Sequence, residues 1–178
     1  MAKSSRSVGS RRQIRGKVLQ ALYAWYTSGN APEEVYQQLL ATDFGTLSRE
    51  LPATDPESDA YFLRELFFAC VRNRAAYEAL LTPHLQNWEW SRVATVDRVI
   101  LVQSVAELLT FAAIPPRVTL NEALELAKTF STDKSNVFVN GILDATLAEL
   151  RQNGQLQKTG KGLIDTRKPG KGTGADSD

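Results

Sequence analysis

Four residues near the start of the chain carry the clearest chemistry. Arg11 and Arg12 are followed by Arg15 and Tyr23, and Arg12, Arg15, Leu19 and Tyr23 recur at i, i+3, i+7 and i+11. On a helix that spacing stacks them along one line. A row of guanidinium groups ending in an aromatic ring suits single-stranded nucleic acid, with phosphates on arginine and bases on the ring. The alternative is a solvated face that carries a tyrosine by chance. Gly16 lies beside the row and costs about 1 kcal/mol of helix propensity, which implies that something approaches the backbone there.

The other reactive residue types build nothing comparable. Cys70 is the one cysteine and His84 the one histidine, so neither a disulfide framework nor a metal cluster is expected, and a reducing cytoplasm fits. Asp97, Glu107, Glu122 and Glu125 can be taken for paired catalytic acids, yet ion pairs and helix surfaces account for them. No nucleophile elbow, His–carboxylate pair or glycine-rich cofactor turn is present. Gly170-Lys171-Gly172-Thr173 lacks the first glycine and the strand–helix context of a phosphate loop. The expectation is a binding protein without a cofactor, not an enzyme.

Charge is unevenly distributed. Residues 1–17 hold six bases and no acid, residues 18–150 hold nine bases and seventeen acids, and residues 151–178 hold six bases and three acids. Basic arms suit a polyanion, and an acidic body suits a second, basic partner. The apolar fraction of 43% supports a core, no run approaches a membrane span, and no apolar stretch follows the N-terminal bases as in a secretory signal.

Helical patterns position these residues. Residues 1–10 read as a disordered basic arm. A first helix from Arg11 carries Ile14, Val18, Ala21, Leu22 and Trp25 as its apolar stripe and stops at Gly29-Asn30. Asn30, Pro32, Glu33 and Glu34 open a second helix, buried through Val35, Tyr36, Leu39 and Leu40, and residues 42–52 read as a loop. Asp55-Pro56-Glu57 opens a longer helix carrying Phe62, Leu63, Leu66, Phe67, Cys70 and Tyr77, with a break near Asn73 and an end before Pro83. Trp88 and Trp90 mark the joint to the second half and read as packing residues.

Val96 to Ala112 is apolar on nearly every side, as in a helix surrounded by protein, and Pro115-Pro116 ends it. Thr119 and Glu122 form a capping box for a helix buried through Leu120, Ala123, Leu124 and Ala127. After a Ser131–Lys134 turn, Ser135 is the expected cap of a last helix with Val139, Ile142, Leu143, Leu147 and Leu150 at helical spacing. With no strand signal, the chain reads as all-α: two small antiparallel helical bundles, 11–83 and 88–150, packed into one body. A flexible Gly/Lys-rich tail is expected over 151–178.

Several pieces of this pattern resemble the transcription antitermination protein NusB family. They are Asp97-Arg98-x-Ile100-Leu101, Glu107-Leu108-Leu109, Ile114-Pro115-Pro116-x-Val118, Asn121-Glu122-Ala123-x-Glu125-Leu126-Ala127-Lys128 and Phe138-Val139-Asn140-Gly141-Ile142-Leu143-Asp144, with Arg11-Arg12 and Leu19-Gln20-Ala21-Leu22-Tyr23-x-Trp25 upstream. The resemblance covers about residues 11–150 and implies the same two-bundle fold. It implies an RNA-binding antitermination factor that binds BoxA-type single-stranded RNA in ribosomal RNA leader transcripts. Its implied partners are NusE, a ribosomal small-subunit protein, and the RNA polymerase antitermination complex.

By the same resemblance, RNA contacts fall on Arg11, Arg12, Arg15, Tyr23, Lys134, Ser135 and Phe138, and the NusE contact on Asp97. Where the family commonly has Gly followed by acids, this chain has Ser131, Asp133 and Lys134, and Lys134 favours phosphate. A pure protein-interaction module of a ribosome-biogenesis complex is the alternative. A detached NusB-like domain of a ribosomal RNA cytosine methyltransferase ranks below it, because only the tail follows the helices.

Overall fold

The computed structural model describes residues 11–43 and 54–164. Six helices order them: α1 (Arg11–Ser28), α2 (Pro32–Asp43), α3 (Asp59–Leu81), α4 (Thr95–Thr110), α5 (Pro116–Phe130) and α6 (Asp133–Gln152). No strand forms among the described residues. The basic arm 1–10, most of the loop before α3 and the Gly170–Thr173 stretch lie outside them.

α4 is the centre. Val99, Ile100, Leu101, Val102, Val105, Ala106 and Leu108 are all fully buried, so the helix has no wet face, and α1, α3, α5 and α6 pack around it. One core cluster runs from Ile14 in α1 to Leu143 in α6; the two halves share it. The apolar stripes expected for α3 and α6 are buried at every position, from Phe62 to Tyr77 and from Val139 to Leu150. α3 is interrupted at Asn73 (φ −113°, ψ 15°), whose side-chain amide donates to the Ala69 carbonyl at 3.1 Å.

Local starts differ from expectation in three places. α5 begins a turn early, with Pro116 in its first turn and no side-chain cap, because proline presets φ for a helix start. Thr119 and Glu122 therefore make no capping box: the Thr119 hydroxyl donates to Glu107 at 2.9 Å, and Glu122 pairs with Arg12. α6 is capped by Thr132, whose hydroxyl accepts from the Ser135 amide, and not by Ser135. α2 begins on the Ala31 carbonyl, which accepts from Val35 N–H at 3.2 Å, one residue after Asn30, whose backbone N–H donates to Ser28 Oγ at 3.1 Å. The end of α1 agrees with expectation, since Gly29 takes φ +72°, a conformation open to glycine.

The segment after 150 is not flexible throughout. After Gly154 turns the chain, Leu156 packs against Leu108, Leu147 and Leu150. Lys158 Nζ donates to the Phe111 carbonyl at 3.0 Å, and Thr159 N–H donates to the Ala112 carbonyl at 3.0 Å. Gly162 then lies so close that a Cβ there would stand 1.9 Å from the Ala112 oxygen. Residues 156–164 thus form a strap over the α4–α5 turn. A backbone hydrogen bond, the Lys158 side chain, a glycine contact and the single apolar residue Leu156 hold it, which leaves no apolar periodicity to read.

Candidate nucleic-acid interface

The arginine row on α1 divides into buried and exposed members. Arg15 is only 5% exposed. Its Nε and Nη2 donate to the two carboxylate oxygens of Glu107 on α4 at 2.7 and 2.8 Å, and its backbone carbonyl accepts from Gln103 at 3.1 Å. Leu19, next along the row, is buried too. The line expected to face solvent therefore faces α4 and α5 over its middle, because two of its four members fill the seam between the helices. The Arg15 guanidinium is taken up by Glu107 and presents almost no surface to solvent.

Arg12 and Tyr23, at the ends of the row, remain accessible. Arg12 reaches across to Glu122 on α5, with Nη2 2.8 Å and Nε 3.1 Å from its carboxylate. That hydrogen bond first, and the charge of Glu122 second, raise the Arg12 pKa further. Tyr23 is 45% exposed and lines a shallow depression with Leu19, Gln20, Ala94, Thr95, Val96 and Phe130. Arg11 is half-buried near the start of α3; it donates to the Glu57 carbonyl at 3.2 Å and stands 4.8 Å from the Phe62 ring.

The residues expected at the α5–α6 turn gather around Asp97. Ser131 Oγ donates to Asp97 Oδ1 at 2.6 Å and Ser135 Oγ to Oδ2 at 2.8 Å. Asp97 is 6% exposed, so it is not a free acidic handle for a partner. It ties the start of α4 to the start of α6, since a carboxylate taken from water needs donors. Ser135 is buried in the same knot, while Lys134 is exposed. Phe138 is half-buried and packs against the core while also lining a second depression with Ala94, Asp97, Lys134 and Ser135. Ala94 lines both depressions, so the Tyr23 and Phe138 depressions adjoin there, two halves of a furrow that Ala94 separates.

The NusB family model matches residues 12–148, from Arg12 of the row to near the end of α6. The chain belongs to the NusB family. It is 36% identical to the transcription antitermination protein NusB of Chloroherpeton thalassium over 88% of this chain and 70% of that protein. Among solved structures, it resembles T. maritima NusB with a TM-score of 0.63 and 30% identity, covering 79% of this chain and 92% of that one. It also resembles, at a TM-score of 0.64 and 24% identity, a structure of antitermination factors NusB and NusE in complex with double-stranded RNA, covering 78% of this chain and 96% of that one.

Of three further residues that line the furrow, the sequence reading passes over Arg92 and Phe130 and takes Trp88 for a packing residue. Trp88 is exposed, unlike Trp90, which packs on the core. Arg92 and Trp88 line the Phe138 end of the furrow, and Phe130 lines the Tyr23 end. The remaining reactive types are occupied: burial pushes the Cys70 thiol up, and His84 Nε2 lies 2.6 Å from Glu149 Oε2. Among the described residues no helix is long and apolar enough to cross a membrane.

Proposed function

We propose that this NusB-family chain is an RNA-binding transcription antitermination factor that holds BoxA-type single-stranded RNA in ribosomal RNA leader transcripts. It acts with the ribosomal protein NusE in the RNA polymerase antitermination complex, in the cytoplasm, by binding and not by catalysis. The observation that carries this reading is the furrow: accessible rings of Tyr23 and Phe138 at its two ends, Lys134 at its edge, and Arg12 further along the α1 face. Rings that take bases and cations that take phosphates are the two parts of a single-strand site. Arg11, Arg12, Tyr23, Lys134 and Phe138 make the contact in this proposal, while Ser135 and Asp97 shape the turn that presents Lys134 and Phe138. The NusE contact then falls around Asp97 at the start of α4, beside the depression that Phe138 lines and not within it.

The test is an electrophoretic shift with BoxA-like single-stranded RNA at several salt concentrations, with and without NusE. Binding that weakens steeply with salt, by about 0.7 in log–log slope for each phosphate held, and tightens with NusE supports the reading. RNA binding that is absent under both conditions refutes it.

A further inference from the structure

The end of the furrow beyond Phe138 has the make-up of a second base-stacking site, and two of its lining residues, Trp88 and Arg92, have no role assigned above. Trp88 is 61% exposed, an unusual position for the largest apolar side chain. It follows Asn87, whose φ of +60° places it in the left-handed region that asparagine tolerates better than most residues. Trp88 and Phe138 line a depression of about 360 Å³ that includes Val93 and Ala94, with Arg92 and Lys134 also on its wall. Its one carboxylate, Asp97, is held by the hydroxyls of Ser131 and Ser135. Arg92 has only a loose partner, Glu89, at 3.8 Å on the exposed surface; such a pair yields readily to a phosphate.

We infer that Trp88 and Phe138 receive a base of single-stranded RNA, with Arg92 and Lys134 taking the flanking phosphates. The inference rests on the RNA-binding reading and lengthens its path, since this depression joins the Tyr23 depression at Ala94. Two exposed cations disfavour a basic protein segment as the occupant. An apolar ligand would leave both cations idle. A nucleotide uses the rings and the charges together.

The test compares the full chain with its Trp88→Ala, Trp88→Phe and Arg12→Ala variants, binding a BoxA-like RNA of roughly 12 nucleotides. Trp88→Ala should weaken binding about 5- to 100-fold, and Trp88→Phe should keep most of the affinity because a ring remains. RNA should also quench indole emission in the parent chain and do so far less in Trp88→Phe, a readout that survives any loss of stability in the alanine variant. Parent-like affinity of Trp88→Ala, alongside weakened Arg12→Ala, overturns the second site and leaves the RNA reading standing. A chain that binds no RNA at all overturns both. A Trp88→Ala variant that binds RNA normally but loses the gain from NusE shows that the groove seats protein, and overturns the inference.

Discussion

Removing the Arg15 guanidinium should unfold the protein more readily without changing its grip on RNA. Arg15 and Glu107 face each other at 2.7 Å with side chains almost entirely out of water, and Glu107 also accepts from Thr119 at 2.9 Å. In Arg15→Ala the Glu107 carboxylate stays buried with one hydroxyl for company. Stripping one partner from a buried pair costs about 3–5 kcal/mol. At about 2–4 °C per kcal/mol for a chain of this size, the melting temperature should fall by roughly 6–20 °C. Replacing both partners, Arg15→Met with Glu107→Leu, should recover most of that loss, because an apolar pair of similar volume leaves no stranded charge. Calorimetry or thermal circular dichroism measures the stability, and RNA titrations at several salt concentrations, run well below the lowered melting point, measure the contact. Arg15→Ala should keep the parent salt slope, whereas Arg12→Ala should lose about 0.7 from it. A variant at Arg15 that melts like the parent yet loses salt slope refutes the assignment and returns Arg15 to the RNA face.

Gly16→Ala should stabilise the chain by up to about 1 kcal/mol, because a Cβ there meets only the Phe130 ring at an ordinary 3.7 Å; a lower melting temperature would contradict this. Gly162→Ala should lift the strap from the α4–α5 turn, seen as faster proteolysis at residues 155–164 with the helices intact, and unchanged protection would show that the strap shifts to fit. Burial draws the Lys158 pKa down to about 8 from 10.5, outweighing the pull of Glu107. Between those values the folded chain binds fewer protons than the unfolded one, so its contribution to stability grows as pH rises through the window and is withdrawn as pH falls through about 8. Melting curves of the parent measured against Lys158→Met from about pH 7 to about pH 10 should show the parent gaining, and parallel curves would refute it.

Periodicity made the helices legible because burial on one side leaves a repeating mark. The stripes of α3 and α6 could be read residue by residue, and the break at Asn73 with them. The site was harder, since a helical line does not say which side of it another helix covers. Arg12, Arg15, Leu19 and Tyr23 share a line, but α4 and α5 cross its middle, and only the three-dimensional packing reveals that Glu107 awaits Arg15. The surroundings of Asp97 were hidden for a related reason: a first-turn acid looks solvated until two serines more than thirty residues away close on it. Side chains that pair across the core, like backbone groups that anchor the strap, leave no local pattern.

The strap has an outcome for the order of the chain itself. Arg11, at the head of α1, and Lys161, near the end of the strap, line the same depression beside the α4–α5 turn. The first and last described helical turns are therefore neighbours in space although nearly the whole described sequence lies between them. Neighbouring ends tolerate being joined. A circularly permuted chain, linked across that depression and opened at the exposed Gly29–Asn30 connection, keeps every helix contact and should fold to the same body. In that permutant α1 would follow the strap and end the chain, so its attachment through Arg15 would come last in synthesis instead of first.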